Sequence, residues 1–139
     1  MDLREWYLGK SIESTHFFGD AMKECALFTL TLLHSATNAH LMHFKTKSFS
    51  QHMALGTYYD EIVDLVDGYV EAYQGIYGLI EDYPNVYHAP KDPVKYFESL
   101  QRFVKDARQD LPKDSQLENL VDGIADLIDS TTYKLKFLG

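Results

Sequence analysis

Apolar residues recur every three or four positions along most of the chain, and this is the spacing of one face of an α-helix. Proline is confined to two places, which fall in or beside residues 82–92 (DYPNVYHAPKD) and residues 111–114 (LPKD). The first of these stretches is the clearest loop, and the second is a shorter break. No segment has the strict alternation of a strand, so the pattern predicts an all-α protein.

The first predicted helix runs from about Thr15 to Phe44, with Ser14 or Thr15 as its N-cap. It carries two apolar stripes. One comprises Leu27, Leu30, His34, Thr37 and Leu41, and the other comprises Cys25, Thr29, Leu32, Ala36, Ala39 and His43. A helix with two such stripes is buried either inside a bundle or between subunits.

A short polar link, residues 45–48, leads to the second predicted helix, which Ser48 or Ser50 caps and which runs to about Glu81. Its apolar face is rich in tyrosine, from Tyr58 to Tyr77, and we expect these rings in the core or at a dimer contact. At roughly 30 residues, each of the first two helices is about 45 Å long.

The third predicted helix starts near Pro93 with Asp92 as its cap, and Asp114 or Ser115 caps the fourth. Two long N-terminal helices and two shorter C-terminal helices, joined mostly by short links, predict a single four-helix bundle over residues 1–139.

Composition narrows the functional classes. The chain has 13 Lys and Arg against 21 Asp and Glu, a net charge of −8, which disfavours DNA binding. The single cysteine, Cys25, excludes an internal disulfide and a cysteine-based zinc site, and we expect it to be a small buried side chain. No apolar run approaches the roughly 20 residues of a membrane span, and the N-terminus lacks a signal-peptide core, so we expect a cytoplasmic protein without a membrane partner.

Histidine and carboxylate residues are the main chemical lead. His43 lies near the end of the first helix and His52 near the start of the second, so the short link can bring them together. Asp67 and Glu71 are four residues apart on the second helix and share one face. Imidazole and carboxylate ligands together suit Fe(II), Mn(II) and Zn(II).

The helix geometry constrains this site. Asp67 lies 15 residues beyond His52, or about 22 Å along the same helix, so one subunit cannot gather all four residues around one ion. Two antiparallel copies can, because the start of one second helix meets the middle of the other across a two-fold dimer interface. The plainer interpretation is that the histidines are solvated at helix ends and that the acids form an exposed stripe with Asp60 and Asp64.

Residues 40–71 (HLMHFKTKSFSQHMALGTYYDEIVDLVDGYVE) resemble the Dps mini-ferritins, the DNA-binding proteins from starved cells. The family has a histidine followed by an aromatic residue, a loop, a second histidine, and then Asp and Glu, which here are His43, His52, Asp67 and Glu71. Residues 117–139 resemble the family's last helix. Two features differ: the segment between the histidines is three residues shorter, and Gly56 stands where the family has an acidic ligand.

The resemblance implies a ferritin-like bundle, often twelve subunits in a hollow shell, that oxidises ferrous iron with peroxide or dioxygen and stores it. The metal ligands would be His43 and His52 of one subunit and Asp67 and Glu71 of another, with iron, or zinc or manganese in its place. The family's basic N-terminal tail is missing, so DNA binding is not carried over. Gly56 and the shorter link favour the alternative, a non-enzymatic ferritin-like bundle that has lost the metal site, holds no cofactor and acts as a structural or regulatory partner.

Overall fold

Every regular element is an α-helix in the parts of the chain that the computed structural model describes, residues 2–9, 21–87 and 89–138. The helices are α1 (Leu3–Leu8), α2 (Ala21–Lys45), α3 (Phe49–Tyr77), α4 (Pro93–Ala107) and α5 (Ser115–Phe137). This confirms the predicted all-α class. Within the same three ranges, no helix combines the length and the apolar character needed to cross a membrane.

Local capping chemistry sets two of the predicted helix starts. The hydroxyl of Ser48 accepts a hydrogen bond from the backbone N–H of Gln51 (3.2 Å), so α3 begins directly after Ser48. The carboxylate of Asp92 accepts from the N–H of Val94 (3.0 Å), and Pro93 occupies the first turn of α4. The predicted start of the first long helix, with Ser14 or Thr15 as cap, lies outside the described residues.

The predicted end of the second helix is wrong, and one predicted cap residue acts differently. The helix α3 ends at Tyr77 rather than near Glu81, because Gly78 takes a φ of +101° and its N–H bonds the carbonyl of Gln74. Asp114 is the N-cap residue of α5, as predicted, but its side chain makes no capping hydrogen bond. Its carboxylate instead accepts one from the Tyr77 hydroxyl, which ties the end of α3 to the start of α5.

The short helix α1 was not predicted. Its six residues make fewer than two turns, too few for a periodic pattern to stand out. It packs against α4, and Arg4 forms a buried, two-pronged ion pair with Glu24 of α2. Charge pairing between two helices therefore fixes the position of α1.

The four longer helices pack around a shared core, with α2 on α3, α3 on α5, α5 on α4 and α4 on α2. Large aromatic rings fill it, and Phe28 meets Tyr69 edge to face with ring centroids 5.3 Å apart. Tyr58 and Tyr73 are buried as expected of the tyrosine face, whereas Tyr77 is exposed. Cys25 is fully buried, also as expected.

The connection between α3 and α4, residues 78–92, runs along α2 toward the other end of the molecule. The Tyr87 hydroxyl donates to Oδ1 of Asn38 in the middle of α2 (2.6 Å). Pro90, further along, lines a cleft with Met42 and Thr46 at the end of α2. As a result α4 starts at the end of the molecule where α3 starts, and α5 returns toward that end.

Candidate metal site

The short turn between α2 and α3 brings His43 and His52 together. Their imidazole rings stack with centroids 3.6 Å apart and planes inclined by 19°. Hydrogen bonds hold the turn in place: the Thr46 hydroxyl donates to Gln51 (2.8 Å) and accepts from the N–H of Ser48 (3.2 Å). The proximity that the short link predicts is therefore present.

Each histidine is oriented by the backbone of the other. Nδ1 of His43 donates to the carbonyl of His52 (2.7 Å), and Nδ1 of His52 donates to the carbonyl of His43 (2.9 Å). A carbonyl oxygen can only accept, so both Nδ1 atoms carry a proton, and in the neutral form of each ring the lone pair lies on Nε2. Histidines that bind metals are commonly oriented by such a bond from the opposite ring nitrogen.

Gly56 provides the space that the ring of His43 occupies. A Cβ atom placed at Gly56 would lie 3.2 Å from Cε1 of His43, closer than nine in ten real Cβ contacts. The sequence interpretation treated Gly56 only as a position where the Dps family has an acid. In the fold, a side chain at position 56 would require the ring of His43 to shift by a few tenths of an ångström.

Two further rings surround His43, and the sequence interpretation assigned neither a role at the site. His40 stacks on Tyr59 with centroids 3.9 Å apart and planes inclined by 14°. Tyr59 also meets His43 edge to face, at 5.3 Å between centroids. The i, i+3 spacing of His40 and His43 was the available signal, because it places both imidazoles on one side of α2.

Asp67 and Glu71 are exposed on α3 and lie far along the helix from the two histidines. Within the described ranges, no three His, Cys, Asp or Glu side chains come close enough to hold a metal ion. At 100° per residue, Asp67 lies about 20° around α3 from Gly56, so the acids share the face that carries the His43 contact. The four-residue site between subunits remains a prediction.

His34 belongs to a separate polar cluster. Its Nδ1 is hydrogen-bonded to the Tyr7 hydroxyl (2.8 Å), and the ring of Tyr87 meets it edge to face at 5.0 Å. Burial lowers the pKa of His34, because the charged imidazolium is disfavoured away from water. His34 is therefore a half-buried residue whose side chain is hydrogen-bonded within this cluster.

The chain belongs to the DUF5856 family, a family of unknown function, whose profile matches residues 43–135 and so includes all four predicted ligands. It is also similar to an uncharacterized 14.6 kDa protein in the mobD-ri intergenic region of Enterobacteria phage T4. The two are 26% identical over 98 residues, which cover 69% of this chain and 75% of the phage protein. No solved structure matches the chain significantly.

Proposed function

We propose that this DUF5856 protein binds and oxidises Fe(II) at sites shared between two subunits, in the manner of a Dps-like mini-ferritin. The observation that carries the proposal is the reciprocal hydrogen bonding of His43 and His52, which fixes both rings and leaves both Nε2 atoms available. Within the described residues, neither Nε2 atom has a hydrogen-bond partner. An oriented, neutral imidazole of this kind is a ready ligand for Fe(II).

The ring geometry favours two ions rather than one. A metal bound to imidazole lies in the ring plane, about 2.1 Å from the nitrogen. The planes of His43 and His52 are nearly parallel and are separated by a stacking distance, so no single ion can lie in both at bonding range. Each ring would therefore hold its own ion, as in a site for two metal ions.

A second copy of the chain supplies the missing oxygen ligands. The exposed face of α3 that carries Gly56 also carries Asp60, Asp67 and Glu71, together with the exposed apolar side chain of Val63. When two copies pack antiparallel through this face, His52 of each lies level with Asp67 of the other. Imidazole of one copy then faces carboxylate of the other at two equivalent sites.

The chemistry needs few groups from the protein. Two Fe(II) ions give up one electron each, and one peroxide takes up both electrons and two protons to become two waters. His43 and His52 hold the ions in place, and Asp67 and Glu71 balance the higher charge of Fe(III). The same ligands would accept zinc or manganese, and zinc would bind without undergoing the redox step.

The path of the chain also supports a ferritin-like bundle. Residues 78–92 form a long connection that runs along α2, so α3 and α4 start at the same end, and long crossover connections of this kind occur in ferritin-like folds. In a closed shell of about twelve copies, an acidic inner surface would favour deposition of Fe(III), consistent with the net charge of −8.

Complementation between two inactive variants tests the shared site. We expect His52→Ala and Asp67→Ala each to abolish rapid iron oxidation in homogeneous preparations. When the two variants are co-assembled, a mixed dimer contains one intact site and one doubly defective site, so part of the activity should return. Anaerobic Fe(II) titration followed by peroxide, with absorbance as the readout of Fe(III), measures this, and light scattering of the same sample gives the particle mass.

The matched control is Asp64→Asn, an exposed carboxylate on α3 one turn before Asp67, which should keep full activity. If the mixture stays as inactive as its components although mixed dimers form, the site is not shared between subunits. If the wild-type protein binds no Fe(II), the alternative stands: a ferritin-like bundle that acts only by association, which Gly56 in place of an acid favours.

A further inference from the structure

One end of the molecule combines exposed apolar side chains with lysines, and we call it the end face. It lies where α2 ends, α3 and α4 start and α5 ends. One cleft joins Lys45 of α2, Gln51 of α3 and Lys91 before α4, and an ion pair joins Lys136 of α5 to Glu98 of α4 (3.1 Å). The apolar members of the end face are Phe44, Phe49, Phe137 and Leu138, and its lysines are Lys45, Lys47, Lys91, Lys95, Lys134 and Lys136.

Charge is strongly segregated between this end and the rest of the chain. The end face has six lysines and two carboxylates, Asp92 and Glu98, and Glu98 is paired with Lys136. The rest of the described residues include six Lys and Arg against 17 Asp and Glu. A positive end on a strongly acidic molecule indicates an anionic partner that touches this end alone.

The apolar side chains stand in the same surface. Phe44 is 70% exposed and Phe49 is 77% exposed, each at the terminus of a long helix. Phe137 and Leu138, at the end of α5, are also exposed. Exposed apolar groups surrounded by lysines are typical of proteins that rest on anionic lipid, where the rings enter the interface and the cations meet the headgroups.

We propose that the end face docks on an anionic membrane surface, with the helices standing away from the bilayer. The next carboxylates along the long helices are remote from the surface. Asp60 lies 11 residues after Phe49, or about 16 Å, and Asp129 lies eight residues before Phe137, or about 12 Å. Both distances exceed the Debye length of about 8 Å at physiological salt, so the acidic sides are screened from the lipid.

A single-stranded nucleic acid fits these observations less well. Such a strand extends along a groove and stacks its bases on flat rings, and the aliphatic Leu138 offers no stacking surface. A strand longer than the end face would also run along the acidic sides, where it is repelled. This docking surface adjoins the candidate metal site, since Phe44 meets the ring of His43 edge to face at 5.6 Å, but the inference rests on lysines and apolar side chains and not on iron chemistry.

Flotation with lipid vesicles tests the inference. We expect the full chain to bind vesicles of equal parts phosphatidylcholine and phosphatidylglycerol but not vesicles of pure phosphatidylcholine. High salt should release the bound protein. The triple variant Lys45→Gln, Lys47→Gln, Lys91→Gln should bind about a hundredfold more weakly, at roughly fivefold for each lysine. The control is Lys23→Gln, Lys105→Gln, Lys113→Gln, which changes the net charge equally but lies elsewhere.

A second pair of variants tests how much the apolar side chains contribute to vesicle binding. Phe44→Ser should weaken vesicle binding about tenfold, whereas Leu79→Ser, at a position 69% exposed near the opposite end, should leave it unchanged. Circular dichroism checks that each variant is folded. The inference is overturned if the wild type ignores anionic vesicles at low salt, if the two lysine triples lose binding equally, or if a single-stranded oligonucleotide binds more tightly than the vesicles.

Discussion

Gly56 on α3 lies directly against the ring of His43 on α2, and a Cβ atom at Gly56 would approach Cε1 of His43 to 3.2 Å. This contact links the glycine to the candidate metal site, because the ring of His43 contacts Gly56 and also stacks on the ring of His52. A Cβ atom at this position requires the imidazole to shift by a few tenths of an ångström. Gly56 is therefore a positioning residue for His43.

Replacing Gly56 by alanine should have two opposing effects, a gain in stability from helix propensity and a loss from the contact with the ring of His43. A glycine-to-alanine change inside a helix normally stabilises by about 0.5–1 kcal/mol. At Gly68 and Gly75 no atom lies within 4 Å of the new Cβ, so alanine there should give that gain in the free energy of unfolding. At Gly56 the gain should be offset by the displaced ring, and affinity for Fe(II) should fall.

Urea unfolding and anaerobic Fe(II) titration of Gly56→Ala, with Gly68→Ala as the control, measure both effects. The control should be more stable than the wild type and bind iron equally well. A Gly56→Ala protein that gained as much stability as the control and kept its iron affinity would contradict the positioning role.

The ion pair between Arg4 and Glu24 should be essential for stability. Both side chains are 7% exposed, so replacing Arg4 by Met leaves a buried carboxylate without its partner, and we expect a loss of about 3–5 kcal/mol. Replacing both residues by Met should cost less than replacing Arg4 alone. The exposed pair of Arg108 and Asp122 is the control, since Arg108→Met should cost at most about 1 kcal/mol.

These losses are read from urea unfolding midpoints at constant slope. A double variant that is less stable than the Arg4 single variant would show that Glu24 contributes in some other way than by pairing with Arg4.

Local sequence signals predicted the parts of the fold that depend on local chemistry. The starts of α3 and α4 follow from Ser48 and Asp92, whose side chains cap the helices directly. The end of α3 was misplaced because Ile80, which is buried, continues the apolar spacing after the helix has ended at Tyr77. Hydrophobic spacing shows which residues are buried, but it does not show whether the backbone between them is helical.

The candidate site could be predicted only in part, because spacing along the chain does not show how the helices pack. A three-residue turn brings His43 and His52 together, and that follows from the spacing alone. The stacking of their rings and the contact with Gly56 depend on how α2 and α3 rotate against each other, which only packing decides. The end face could not be predicted from the sequence, because its six lysines are spread from position 45 to position 136 and only the fold brings them to one end.

His34 should make stability depend on pH. Burial lowers its pKa in the folded state, whereas in the unfolded chain His34 takes up a proton near pH 6.5. The unfolded state thus binds more protons below about pH 6.5, so the free energy of unfolding falls as the pH falls through this range and is fully retained above it.

Thermal unfolding of His34→Gln between pH 5 and pH 7.5 checks this dependence, and the variant should lose less stability toward acid than the wild type does. Tyr7→Phe is the control: it removes the hydrogen bond to His34 but keeps the ring that buries it, so the pH dependence should remain. An equal acid response in the wild type and His34→Gln would assign the effect to other groups.

Asn38 joins the long connection to the core through both ends of its side-chain amide. Oδ1 accepts from the Tyr87 hydroxyl (2.6 Å), and Nδ2 donates to the Tyr96 hydroxyl (3.0 Å). Asn38→Leu should cost about 1–3 kcal/mol for the buried Tyr96 hydroxyl alone, because it loses its partner away from water. Tyr87→Phe removes a single, part-buried hydrogen bond and should cost about 1 kcal/mol.

The two variants should also differ in which part of the molecule becomes more accessible to a protease. Tyr87→Phe should speed chymotrypsin cleavage within residues 78–92 with little effect on global unfolding, because it frees the connection and leaves the packed helices intact. Tyr83→Phe is the matched control, since chymotrypsin cleaves after either ring and Tyr83 lies exposed in the same connection. If both variants were cleaved at the wild-type rate, the bond between Tyr87 and Asn38 would not be what holds the connection against α2.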